Sequence, residues 1–319
     1  MFKLQTILAI LVFNISVFAC VKTEAKKNYE WRNVTAKADY PTGYNYPVCI
    51  VNGKMLALNN GGWFSSDGKN WTKSPLPKSG LNSAFQKFVQ FKGAVYALGA
   101  MQGNIEKMTL SSQISRTRDG KVWEVVAEKS NLPERVFYGS AVFQNKIWIF
   151  GGMFDGKLFD DVWNTADGVH WQKVGEKMPW GKRENLKSVV FKNKLFLIGE
   201  TDVWSSANGV NWTLETKQMA NHPVFISGYS AAVWDDKIWL VGINRNGTFQ
   251  SSVLFSADGK NWQEMNAPWT PRGAVAVWVF DDKLFMTGGK YSFVERGETK
   301  FVYSNDVWAM EKTKSGYNF

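Results

Sequence analysis

Hydrophobic positions along the chain recur in short, strand-length runs with one repeated outline. It is seen most clearly in Phe143-Gln-Asn-Lys-Ile-Trp-Ile-Phe-Gly-Gly152, Phe191-Lys-Asn-Lys-Leu-Phe-Leu-Ile-Gly199, Trp234-Asp-Asp-Lys-Ile-Trp-Leu-Val-Gly242 and Phe280-Asp-Asp-Lys-Leu-Phe-Met-Thr-Gly-Gly289. In each, an apolar residue closes one strand, two polar residues turn the chain, and an apolar run forms a second strand that glycine stops. Weaker copies at Val51–Leu58 and Phe91–Gly99 bring the number of units to six. A third strand follows, marked by Asp161-Val-Trp163, Asp202-Val-Trp204 and Asp306-Val-Trp308. Five units then carry a turn phrase, as in Ser66-Asp-Gly-Lys-Asn-Trp71 or Ala257-Asp-Gly-Lys-Asn-Trp262. Its Asp-Gly or Asn-Gly pair supplies the positive φ of a tight hairpin leading into a fourth strand, with the Trp as a packing residue two positions in.

Four strands per unit predict an all-β, six-bladed β-propeller. Tyr29 to Met310 divided among six units gives about 47 residues each, inside the roughly 40–50 of propeller repeats. The sixth unit ends at Asp306-Val-Trp-Ala-Met310 with no turn phrase after it, while the chain offers an unattached strand at Tyr29-Glu-Trp31-Arg-Asn-Val34. The N-terminal strand is therefore expected to complete the last blade and close the ring without a free edge. This register assigns most of the 16 tryptophans to inter-blade core and leaves only Trp180 and Trp269 outside the repeat.

The remaining composition narrows the chemistry. With 319 residues, 45% hydrophobic and 21% charged, the chain is an ordinary globular one. A net charge of +10 (38 Lys+Arg against 28 Asp+Glu) has no basic block behind it, so the lysines read as solubilising and no nucleic-acid partner is expected. Two cysteines, Cys20 and Cys49, and two histidines, His170 and His222, leave no material for a disulfide framework or an imidazole metal site. No metal and no cofactor are expected. The opening Met1-Phe2-Lys3 and the apolar runs that follow read as a signal peptide over 1–19. Val17-Phe18-Ala19-Cys20 resembles the lipobox of bacterial lipoproteins, which implies acylation at Cys20, a tether over 20–28, and a propeller over 29–319 held outside the cytoplasmic membrane.

The paired glycines, the third-strand aromatic and the fourth-strand Trp resemble kelch repeats and the propeller domain related to galactose oxidase, over nearly the whole mature chain. Ser65-Ser-Asp-Gly-Lys-Asn-Trp71 also resembles the Asp-box of sialidase-type propellers, one residue shortened. Copper oxidase activity in the first group needs two histidines and a tyrosine cross-linked to cysteine, and His170 falls on the wrong face. The Arg-Ile-Pro signature of sialidases is absent. The bacterial sialic-acid epimerases, also six-bladed kelch propellers, are a further possible cousin.

The face carrying the loops between second and third strands, and between blades, is the default site. Arg135, Arg183 and Arg272 lie at one repeat position, eight residues before the residue that closes each first strand. At the channel mouth their forked guanidinium groups would suit a carboxylate or sulfate; the other reading is that they bond neighbouring loops. Trp180 and Trp269, each in a Pro-Trp pair ahead of such an arginine, would offer a platform for a sugar or peptide, or else staple the loops. Glu184 and Tyr138 complete the candidate ligand-binding set, with Glu134, Glu200 and Tyr229 as further acid–base material. Together these features lead to an expected binding or scaffolding module, monomeric, for a glycan or extracellular protein, touching the membrane through its lipid anchor alone. A carbohydrate-active enzyme on an acidic sugar, sialidase-like or epimerase-like, is the alternative.

Overall fold

The computed structural model describes residues 28–74, 86–103, 108–219 and 225–313. The signal peptide, Cys20, most of the tether and His222 lie outside the described residues. Six four-stranded antiparallel sheets form the blades. Blade I is Val48–Val51, Lys54–Leu58, Gly62–Ser65 and Thr72–Ser74; blade II is Lys87–Phe91, Ala94–Gly103, Met108–Thr117 and Glu124–Ala127. Blade III is Gly139–Phe143, Lys146–Phe150, Val162–Thr165 and Gln172–Gly175; blade IV is Lys187–Phe191, Lys194–Ile198, Val203–Ser206 and Thr213–Thr216. Blade V is Ser230–Trp234, Lys237–Val241, Ser252–Ser256 and Gln263–Asn266. Blade VI runs from Ala276–Phe280 through Lys283–Thr287 and Val307–Thr313 to Asn28–Thr35, so the first strand of the chain is the outermost strand of the last blade, as its sequence implies. The innermost strands neighbour one another around the ring, and Val48–Val51 meets Ala276–Phe280 to close it.

Each first hairpin turns on two residues of positive φ, such as Gln144 and Asn145 (47° and 56°) or Asp281 and Asp282 (47° and 51°), the type I′ geometry that matches strand twist. The five turn phrases share a different device. In blade I, Ser65 Oγ accepts the Gly68 N–H at 2.8 Å, and Asp67 Oδ1 accepts those of Lys69 and Asn70 at 2.8 and 2.9 Å. The same pattern recurs around Asp119, Asp167, Asn208 and Asp258. Because the side-chain oxygen holds these backbone donors, the turn extends through the Trp and the fourth strand starts just after it, at Thr72 rather than two residues before Trp71.

The turn glycine is also an inter-blade contact. A Cβ on Gly209 would lie 2.3 Å from the Trp148 ring, and one on Gly259 would lie 2.2 Å from Phe196, each aromatic belonging to the second strand of the preceding blade. This explains why second strands carry a large aromatic where the facing turn carries glycine. Gly209→Ala combines positive φ with an unavoidable ring clash, and is expected to lower stability by about 2–3 kcal/mol in urea unfolding; an unchanged midpoint would contradict this packing.

Candidate functional site

The three repeat-register arginines fold back onto their own blades. Arg135 makes a two-pronged pair with Asp161 (Nη1–Oδ1 2.7 Å, Nη2–Oδ2 3.1 Å) and donates to the Gly151 carbonyl at 3.0 Å, with its guanidinium over the Phe159 ring. Arg272 repeats this on Asp306 at 2.5 and 3.1 Å, and Arg183 reaches Asp202 Oδ1 at 2.7 Å. The second oxygen of each aspartate accepts an indole N–H from the third strand: Trp163 at 2.7 Å, Trp204 at 2.9 Å and Trp308 at 2.8 Å. Burial alone would raise the Asp161 carboxyl, but the Arg135 guanidinium and the Trp163 N–H hold it below its ordinary value. The arginines are thus internal clamps from the inter-blade loop to the Asp-Val-Trp third strand, and the expectation that they gather at the channel mouth is corrected. Arg135 and Arg272 are buried; Arg183 keeps a partly exposed side chain.

Trp180 and Trp269 present no free ring face. They are 1% and 3% exposed, Trp180 packing with Phe143, Trp148 and Leu186, and Trp269 standing edge-on to Trp31 at 4.5 Å. Tyr138 is a buried strut whose hydroxyl donates to the Leu98 carbonyl of the neighbouring blade at 3.1 Å, and Tyr229 does the same to Gly199 at 2.6 Å. Glu184 is half-buried, its carboxyl raised by burial, and its Oε2 finds no hydrogen-bond partner among the described residues. Exposed His170 lies on the opposite face, against Asp167.

What occupies the channel is a pair of lysines that the arginine register does not reveal. A cavity of about 270 Å³ follows the axis, its wall including Lys87, Lys187, Ser140, Ser188 and Ser230. A second space of about 140 Å³ shares Asn45, Gln86, Lys87 and Lys187 with it and adds Asn185, Ser227 and Glu200 at the mouth. None of the seven predicted ligand-binding residues lines either space. Lys87 and Lys187 open the first strands of blades II and IV, four residues before Phe91 and Phe191. The equivalent positions of blades III, V and VI are Gly139, Ser230 and Ala276, too small to fill the axis. Burial, and then the charge of Lys187, push the Lys87 ammonium down to about 7; burial also lowers Lys187. Neither lysine has a carboxylate partner among the described residues. Glu200 sits at the same mouth with a raised carboxyl, owing first to burial and then to the charge of Glu184. The arrangement is a narrow polar shaft with two desolvated ammonium groups and hydroxyl and amide neighbours, which favours an anion.

Comparison with known proteins bears on the architecture. Residues 165–306 match the family described as the DUF6242 beta propeller domain. The chain is a β-propeller. A solved structure titled "Structure of YjhT" superposes with a TM-score of 0.66, covering 84% of this chain and 99% of its own, at 14% identity. At that identity the likeness is one of fold. No curated protein matches the chain.

Proposed function

We propose that the protein is a secreted, lipid-anchored binding module of kelch type whose channel mouth takes up an anionic group, carried by a glycan or an extracellular protein. The observation that carries this reading is the Lys87–Lys187 pair, two partly buried ammonium groups with no carboxylate counter-ion among the described residues, in a shaft otherwise lined mostly by small and polar side chains. Keeping two like charges together in a desolvated place is costly, and a bound carboxylate would relieve that cost while using their hydrogen bonds. Lipid anchoring rests on the sequence around Cys20.

Calorimetric titration of the full chain with glucuronate and with N-acetylneuraminate, against glucose as the neutral control, tests the reading. Saturable binding of an acid but not of glucose is expected, weakened about tenfold or more by Lys87→Gln or Lys187→Gln. The pH dependence has a definite sign. In the free protein Lys87 is protonated below about pH 7, so affinity for the anion should be flat below that value. Above it, affinity should fall by up to about tenfold per pH unit, because binding must first restore the proton. Indifference to both substitutions, or binding that strengthens from pH 7 to 9, would reject the lysine site.

A second reading, acid–base chemistry on an acidic sugar, is favoured by Glu200, whose raised carboxyl lies in the same space as the lysines. Following the same sugars, and a sialylated glycoside, by proton NMR separates the two: release or epimerisation lost in Glu200→Gln supports the enzyme, and unchanged spectra leave a binding module.

A further inference from the structure

Basic side chains of blades I, II and IV that look scattered in the sequence are brought by the fold to one face. First-to-second and third-to-fourth connections share the face opposite the channel mouth, because strands alternate in direction through each blade. In blades I, II and IV the first hairpin brings exposed Lys54, Lys92, Lys192 and Lys194 to that face. The turn phrases of blades I and II add exposed Lys69, Arg118 and Lys121. The acidic groups intercalated there are the turn aspartates Asp67 and Asp119, which stay ionised, Asp67 held at about 2 against the effect of burial by the N–H and side chain of Asn70 and the N–H of Lys69, and they offset only part of the seven basic charges. Blades V and VI differ. Their first hairpins are Asp235-Asp236 and Asp281-Asp282, and Lys312 bonds Asp282 at 2.5 Å, so that sector is locally balanced. The mouth face mixes both signs, as in the Lys290–Glu295 and Glu298–Tyr303 hairpin, whose Lys300 pairs with Glu298.

A second, independent feature lies on the same side. The outermost strand of blade VI pairs Asn28 with Thr313 and Thr35 with Val307, so it begins at the lysine-bearing face and runs towards the mouth. The chain therefore reaches the propeller from that side, directly after Lys26 and Lys27 in sequence. Eight residues separate Asn28 from Cys20, a reach of at most about 29 Å when fully extended.

We propose that the arc of lysines on blades I, II and IV is a docking surface for an anionic lipid bilayer, so that the propeller lies with this face on the membrane and its channel mouth turned away from it. The charge supplies attraction over roughly a Debye length, and an approach of at most about 29 Å lets the face come down into that range from any anchor at Cys20. Attraction to the surface works without acylation, and so is separable both from it and from ligand uptake in the channel.

The test uses the full chain carrying Cys20→Ser, which removes any acyl group, and sedimentation with vesicles of phosphatidylcholine alone or with phosphatidylglycerol added, at low and high salt. Preferential partitioning onto the anionic vesicles, abolished by salt, is expected. Lys54→Glu, Lys121→Glu and Lys194→Glu combined should reduce that preference about a hundredfold or more, at roughly fivefold per lysine lost, with an unchanged thermal transition. The matched set on the mouth face, Lys157→Glu, Lys177→Glu and Lys182→Glu, should have little effect. Equal loss in both sets, an unaffected first set, or salt-sensitive retention on heparin without vesicle binding would each overturn the proposal.

Discussion

Replacing Arg135 with alanine is expected to lower the unfolding free energy by about 3–5 kcal/mol, because it leaves Asp161 charged and largely buried without its guanidinium counter-ion, held by neutral N–H donors alone. Arg135 has a side chain 1% exposed, and its guanidinium bonds two carboxylate oxygens and the backbone carbonyls of Pro133 and Gly151. The double variant Arg135→Met with Asp161→Leu should recover most of the loss, since removing both charges removes the desolvation cost of each. A pH series gives the sign. Asp161 has a folded value below its ordinary one, so its contribution is fully present above about pH 4 and is lost as the pH falls through the folded value. The wild type should therefore lose stability in acid more steeply than the apolar double variant. Denaturant midpoints across pH 2–7 check this. Loss of acid binding by the folded fraction of Arg135→Ala, with an unaltered midpoint, would instead return the arginine to a ligand site.

Much of this architecture is written in the sequence in residue types that only one geometry satisfies. Paired polar residues between apolar runs mark the type I′ hairpins, and the unattached Trp31 strand fits the one blade that lacks a turn phrase. The clamps were legible as well, in two halves: arginines at a shared register, and Asp-x-Trp on the third strands of those same three blades. Joining the halves identifies the arginines as structural, because the aspartate sits where the guanidinium of its own blade reaches it. Blade V, whose third strand begins Ser252-Val253-Leu254, has neither half.

The channel lysines were harder to see. Their register, four residues before the close of a first strand, is shared with proline, glycine, serine and alanine, so no recurring letter draws attention to it. What marks the position is an exception within the repeat, a long charged side chain where other blades have almost none. The gathering of basic residues from blades I, II and IV on one face is hidden for another reason. Charges far apart in sequence become neighbours only through the alternation of strand direction, and a count of net charge carries no such direction.

Trp31 is where ring closure can be measured. The strand Asn28–Thr35 pairs along the Val307–Thr313 edge and inserts Trp31 between Trp269 and the core of Met286, Leu284 and Met310. Trp31→Ala should cost about 3–5 kcal/mol, the range for emptying a buried aromatic site. Part of that cost is the edge-on contact with Trp269, at 4.5 Å and 86°, which a double-mutant cycle with Trp269→Ala should report as a coupling of about 0.5–1.5 kcal/mol. Removing residues 28–35 is more severe, since it also takes the Tyr29 hydroxyl from Asp235 of blade V and strips the ladder from Val307–Thr313. That bare edge is a template for pairing with another chain, so the truncated protein should unfold at lower temperature and form larger species as its concentration rises. A truncated chain that stays monomeric with the wild-type melting temperature would mean that the inner strands hold the ring shut alone, and that the outer strand is only its cover.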